Sequence, residues 1–172
     1  MVQINITQNR ALFFIITYLH IMLLNFIVFI ITFLVMESVA WLAHRYIMHG
    51  FLWFLHEDHH LKGEDTFFEK NDAFFLIFSI PSFLCFLFGA LNHNGILLSI
   101  GTGIAAYGLC YFLVHDIFIH QRFKIFRNSN SRYLRAVRRA HKMHHKHLGK
   151  HHGESFGMLF FPIRYWKQAL KK

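Results

Sequence analysis

The sequence predicts an all-α integral membrane protein of three to four transmembrane helices, with a histidine-rich dimetal site on the cytoplasmic side. Three observations predict it. Long uncharged apolar runs fill Ala11–Met36, Ala73–Leu91 and Gly95–Val114, in a 172-residue chain that is 55% hydrophobic and holds 22 Phe. That composition is richer in apolar residues than an ordinary soluble domain. Ten of the 15 histidines stand in two copies of one spacing pattern. Fourteen of the 18 Lys and Arg lie in Asp116–Lys172, against only two acids there, Asp116 and Glu154.

The elements follow in order, within 1–172 as a single membrane-bound domain. The first run rises about 39 Å as a helix, enough to cross a hydrocarbon core roughly 30 Å thick. It is too long for the apolar region of a signal peptide, has only Arg10 before it and lacks a small-residue cleavage site. It therefore reads as a retained anchor. No proline stops it, so the helix is expected to continue through Glu37–Gly50. Glu37 stands out, because it follows 26 uncharged residues near membrane depth, where a carboxylate is costly. Gly50, then Gly63 with its acidic neighbours, marks a connection. Ala73–Leu91 and Gly95–Val114, of 19 and 20 residues, are near the minimum spanning length. They form a hairpin turning at Asn92-His93-Asn94, with His20, Asn25 and Pro81 as tolerable interruptions of the spans. The third span runs on through His115–His120. Asn128-Ser129-Asn130-Ser131 signals a loop, Arg132–His147 a basic helix and Gly149–Gly157 another loop. Phe156–Trp166, short and broken by Pro162, is expected to lie in the interface. Cys85 and Cys110 sit inside apolar runs and read as buried thiols.

By the positive-inside rule the basic C-terminal tail is cytoplasmic and the uncharged Leu91–Gly95 connection lies on the far side. Crossing back returns Glu37–Asp72 to the cytoplasm, so histidine regions 44–60 and 115–145 meet on one face. A basic tail also suits nucleic acid. With spans of this kind, membrane orientation and attraction to anionic lipid explain the charge instead, and no nucleic-acid partner is expected.

The first copy of the pattern is His44-x4-His49 followed by His56-x2-His59-His60. The second is His115-x4-His120 followed by His141-x2-His144-His145. Imidazole is the commonest metal ligand, and five per copy exceeds what a structural zinc needs. On a helix, residues i, i+3 and i+4 share a face, so each H-x2-H-H can converge. An i, i+5 pair is separated by about 140° on an α-helix, so His44 and His49 suit neighbouring metals or a locally distorted turn. Imidazole does not choose among zinc, copper, iron and nickel. His20, His93, His147, His151 and His152 fall outside the pattern. Asp58, Asp72 and Asp116 are candidates to accept the second N–H of a ligating imidazole.

At these motifs the chain resembles the membrane-bound fatty acid hydroxylase superfamily, and more closely the bacterial β-carotene 3-hydroxylases. The resembling stretches are Met36–Gly50, His56–His60, E-K-N-D at Glu69–Asp72, Tyr107–Asp116, His141–His145 and Ser155–Leu159. The histidine groups specify only the superfamily; the words between them point to the carotenoid branch. The resemblance implies O2-dependent hydroxylation of β-ionone rings, converting β-carotene through β-cryptoxanthin to zeaxanthin. It also implies two non-haem irons held by His44, His49, His56, His59, His60, His115, His120, His141, His144 and His145. Electrons are expected from reduced ferredoxin, fed by an NAD(P)H-dependent reductase and received at the basic surface Arg132–Lys142. Phe67, Phe68, Phe74, Phe75, Tyr107, Tyr111 and Phe112 are candidates for the apolar wall around a carotenoid. The absence of a transit-like extension points to a bacterial cell membrane. A lipid or sterol hydroxylase or desaturase of the same superfamily, and more remotely a histidine-rich metal transporter, are the competing readings. A transporter places its ligands within the spans, where here only His20 lies.

Overall fold

The computed structural model describes residues 2–61, 68–125 and 129–170. Helix α1 (Val2–Leu42) continues without a break into π-helical turns over Ala43–Phe51, bends at Gly50 and gives way to α2 (Trp53–His60). A single 3₁₀ turn, Lys70–Asp72, leads into α3 (Ala73–Leu91), which turns into α4 (Gly95–Phe112). Helix α4 also runs into π-helical turns, Leu113–Ile119, before the basic helix α5 (Arg132–His144) and α6 (Ile163–Leu170).

Among the described residues three helices are long and apolar enough to cross a membrane: Gln8–Phe51, Lys70–Leu91 and Gly95–Ile119. Their outward faces are apolar and bare. Phe13, Phe14, Tyr18, Phe83 and Phe75 are each more than 60% exposed, a surface that suits lipid and not water. Two readings need adjustment. The basic helix ends at His144, short of His147, and the segment after Pro162 folds as a helix of its own. Cys85 and Cys110 are free thiols but only half-buried, because a three-helix bundle has little interior to offer.

The α3–α4 turn follows from Asn94, whose side chain accepts from the N–H groups of Ile96 and Leu97 and so caps α4. His93 takes the left-handed backbone conformation there (φ 50°). Helix α4 packs against both α1 and α3, whereas α1 and α3 barely touch each other. Small residues permit the close approach, as is usual between membrane helices. A Cβ on Gly103 would stand 2.7 Å from Thr32 of α1, and one on Gly101 3.1 Å from Cys85 of α3. Replacing Gly103 by Leu is therefore expected to destabilise the α1–α4 contact by about 1–3 kcal/mol through overpacking. A lowered unfolding temperature in detergent, against an unchanged one for Gly108→Ala, measures it; a Cβ at Gly108 meets nothing within 4 Å.

This arrangement leaves a groove between α1 and α3, floored by α4. It holds a cavity of about 410 Å³, lined among others by Met36, Ala40 and Met48 of α1 and its extension, Phe74 and Phe78 of α3, and Ile104, Tyr107 and Tyr111 of α4.

Candidate metal centre

The ten histidines of the repeated pattern form two groups of five. The first is His44, His49, His56, His60 and His144; the second is His59, His115, His120, His141 and His145. Within each group the ligand atoms all lie within 4.8 Å of one another. Each copy of the pattern thus gives four imidazoles to one centre, and each H-x2-H-H sends its middle histidine across to the other. His59 and His144 are the crossed pair.

Local backbone explains both parts of this partition. The H-x4-H pairs sit on the π-helical turns, where the repeat is i→i+5 and residue i+5 stacks over residue i. The bond from the His120 N–H to the His115 carbonyl (2.9 Å) closes the turn between the two members of one pair. Each pair therefore serves a single centre, through a distorted turn. In α2 and α5 the i and i+4 imidazoles are about 40° apart around the axis, whereas i+3 and i+4 are about 100° apart. His56 and His60 accordingly face one centre while His59 faces the other.

The imidazoles present their Nε2 atoms to the middle of each group. Nε2–Nε2 separations are 3.0 Å for His44–His56, 3.2 Å for His49–His144 and 3.1 Å for His60–His144. In the second group they are 3.0 Å for His59–His115, 2.9 Å for His120–His141 and 2.8 Å for His141–His145. Two nitrogens each about 2.1 Å from one ion and at a right angle to it lie about 3.0 Å apart. The spacing, the identity of the donors and their burial fit a metal ion at the middle of each group.

The opposite ring nitrogens fix the tautomer in the first group. The Nδ1–H of His44 donates to the Phe156 carbonyl (2.9 Å), of His49 to Lys150 (3.0 Å), of His60 to His147 (3.1 Å) and of His144 to Glu154 (2.9 Å). His56 donates to Asn71 Oδ1 at 2.6 Å. All five acceptors are uncharged, and all five Nε2 lone pairs are left pointing inward. In the second group only His59 has such a partner among the described contacts, and that partner is a carboxylate. His59 Nδ1 donates to Glu69 Oε2 at 2.7 Å; Asp116 Oδ1 lies 3.4 Å from His115 Nδ1, but Nδ1 of both His115 and His141 is buried without a hydrogen-bond partner. The two centres therefore differ in the charge of their surroundings. Burial lowers the pKa of His56 to about 3, of His60 to about 4 and of His144 to about 2, with crowding by other imidazoles as a further cause. Burial and then neighbouring imidazoles push His59, His120, His141 and His145 below the ordinary histidine range as well. Neutral imidazole is the form that binds metal.

Of the aspartates expected beside the ligands, only Asp116 lies near one. Asp58 accepts instead from the Lys70 N–H, and Asp72 accepts from the Glu69 N–H and pairs with Arg122 at 2.8 Å. Both hold the turn that starts α3. The groups that do accept from imidazole are Glu69 and Asn71, in the same E-K-N-D word, together with main-chain carbonyls. Residue type marks the first two, and nothing in a sequence marks a carbonyl. His20, His93, His147, His151 and His152 join neither group of five, although the main chain of His147 does serve His60.

The α1–α3 groove ends at the centres: His44 of the first group and His115 of the second both line its cavity. Phe68, Phe74, Phe75, Tyr107, Tyr111 and Phe112 all line it too, and Phe67 lies outside the described residues. Asn71, Asp72, Asp116 and Arg122 give the end near the histidines a polar rim.

Residues 29–164 match the fatty acid hydroxylase family. A β-carotene hydroxylase of Paracoccus sp. (strain N81106 / MBIC 01143) is 38% identical over 149 residues, covering 86% of this chain and 91% of the relative. One from Pantoea ananas is 40% identical over 138 residues, 80% of this chain and 78% of its own length. The chloroplastic β-carotene 3-hydroxylase 2 of Arabidopsis thaliana is 37% identical over 130 residues, 74% of this chain and 42% of that protein. No solved structure matches the chain.

Proposed function

The chain belongs to the fatty acid hydroxylase family, and from that premise we propose that it is a di-iron β-carotene 3-hydroxylase. It would convert β-carotene through β-cryptoxanthin to zeaxanthin. One observation carries the reading: a mainly apolar groove between membrane-crossing helices ends on His44 and His115, one imidazole from each five-histidine group. The similarity to bacterial β-carotene hydroxylases over most of both chains supports the choice of substrate.

The ten histidines would hold two irons, five imidazoles each, which with O2 and electrons from reduced ferredoxin supply the oxidising power to break an unactivated ring C–H bond. The chain's own residues do the rest. Phe74, Phe78, Ile104, Tyr107 and Tyr111 offer the ring an apolar slot and keep bulk water from the reacting carbon. A cavity of about 410 Å³ is small for a molecule about as long as the hydrocarbon core is thick, roughly 30 Å. Only one end of the carotenoid enters; the remainder lies along the groove in lipid, and turning end for end presents the second ring. The neutral acceptors around the first centre hold all five of its imidazoles in the metal-binding tautomer, and Glu69 does the same for His59 at the second. On α5 the exposed Arg132, Arg139 and Lys142 would steer an acidic ferredoxin. By the positive-inside rule the same charges support a cytoplasmic position for this face, in a bacterial cell membrane.

Expression in cells that accumulate β-carotene tests the reading. Zeaxanthin and β-cryptoxanthin are expected with the intact chain, and neither with His144→Ala present in the membrane at equal level. Unchanged β-carotene in cells whose membranes hold the iron-loaded protein would contradict it and move attention to fatty acid or sterol substrates.

A further inference from the structure

Glu37 takes no part in either group of five, yet it is a carboxylate on a membrane helix, only 6% exposed. None of its described partners is a cation. Oε1 accepts from the main-chain N–H groups of Met158 (2.9 Å), Leu159 (3.0 Å) and Phe160 (2.9 Å). Oε2 accepts from the Tyr107 hydroxyl at 2.6 Å and from the Leu159 N–H at 3.1 Å. Three successive N–H groups converging on one carboxylate form a nest for an anion. The nest has been shaped around the side chain: a Cβ on Gly157 would lie 2.7 Å from Glu37 Oε1 and 2.6 Å from the Phe160 carbonyl.

The segment so gripped is the one that orients the first centre. Residues 147–156 supply the carbonyls that receive Nδ1–H from His60, His49, His144 and His44. None of the second group's imidazoles bonds to this segment among the described contacts. From His145 to Pro162 the chain forms neither helix nor strand, and His152 and Ser155 take left-handed backbone angles (φ 68° and 60°). Such a segment has no hydrogen-bond ladder of its own to hold its carbonyls in place. Its registration rests on side-chain anchors, of which Glu37 makes the most bonds; the Tyr133 hydroxyl on the Leu159 carbonyl is another (2.8 Å). Glu37 also lies on the same helix as His44, two turns before it, so one helix sets both the ligand and the clamp on its acceptor.

We infer that Glu37 is a positioning residue for the first metal centre and not for the second. It locks residues 158–160 so that the carbonyls within residues 147–156 before them hold four of the five first-centre imidazoles in register. The inference rests on the reading of the ten histidines as two metal sites. Charge matters as well as shape, because hydrogen bonds to an ionised acceptor are roughly twice as strong as neutral ones. The Glu37→Gln side chain would offer one oxygen to the three N–H groups and turn its amide toward Tyr107, which must then accept. Glu37→Leu would leave all three N–H groups without a partner.

The test is iron retention by the purified full-length chain in detergent, loaded with ferrous iron alone and challenged with a chelator. Wild type is expected to hold two irons. Glu37→Leu and Gly157→Ala are expected to weaken one of them by about 10–100-fold, as loss of an outer-shell partner typically does, with Glu37→Gln between. Helical content is unchanged, and Ser82→Ala, which removes a buried bond between α3 and α4 (2.8 Å to the Gly101 carbonyl), keeps both irons. Site selectivity separates positioning from general damage. Glu37→Leu should strip the remaining iron from His115→Ala and take nothing further from His144→Ala. Equal weakening of both irons, or wild-type retention in the Glu37 variants, overturns the proposal. If Glu37→Leu does not fold, Glu37→Gln decides by the same criterion. A wild-type chain holding fewer than two irons overturns the proposal together with the metal reading beneath it.

Discussion

Alanine at His59 is expected to empty the centre formed by the other half of the chain and to spare the one formed by its own neighbours. His59 stands between His56 and His60 in sequence, and both of those face the first centre. Its Nε2 lies 3.0 Å from that of His115 and its Nδ1 donates to Glu69, so it belongs to the second. Removing it leaves four imidazoles there and takes the imidazole donor from Glu69. Removing an outer-shell partner already costs about 10–100-fold in metal affinity or activity, and a direct ligand is expected to cost at least as much. His144→Ala should do the mirror image, weakening the first centre while His141 and His145 keep the second. Iron content of each single variant and of the double reads the result. The singles are expected to retain about one tightly held iron each and the double none. A His59→Ala chain that loses the same iron as His56→Ala would show that the partition is by sequence group and not crossed.

A tryptophan at position 108 is expected to abolish ring hydroxylation while leaving both irons bound. Gly108 lines the groove floor on α4, and a Cβ there meets nothing within 4 Å. A large side chain therefore enters open space without displacing the backbone, and an indole takes up much of a cavity of about 410 Å³. Gly103, five residues earlier on the same helix, offers the contrast, because there the space is already filled by Thr32. Loss of turnover by at least about 100-fold, the scale of misplacing a substrate by an ångström, is expected from Gly108→Trp, with Gly108→Ala close to wild type. Pigment analysis beside iron content checks it. Full activity in the tryptophan variant would mean that the substrate reaches the histidines by another route.

How much of this was legible beforehand depends on the kind of interaction. The spans were legible because lipid demands continuous apolar helices, and Asn94 marks the turn between two of them by capping chemistry. The ten histidines stand out in the sequence as a candidate metal-binding set, because few other roles need so many imidazoles at one interface, and all ten fall into the two groups of five. Neither H-x2-H-H converges as expected: the roughly 100° between His59 and His60 on a helix turns the middle histidine to the other group. The π-helical turns under the H-x4-H pairs were open: a distorted turn was one of two alternatives. Asp58 and Asp72 drew attention as acids close to the ligands, but nearness in sequence does not set direction, and both fasten the start of α3. The outer shell of the first centre was illegible for a firmer reason. Four of its five acceptors are main-chain carbonyls, which every residue carries. Glu37 was conspicuous as a carboxylate at membrane depth, but its main-chain partners lie more than 120 residues away in a segment of irregular backbone.

The most direct measurement is X-ray absorption at the iron edge of the purified, iron-loaded chain. Two five-imidazole centres predict a shell of nitrogen donors dominated by histidine, with the outer scattering that imidazole rings produce and no sulfur, at two irons per chain. A shell dominated by carboxylate oxygen, or a single iron per chain with only two or three imidazoles, would contradict the account.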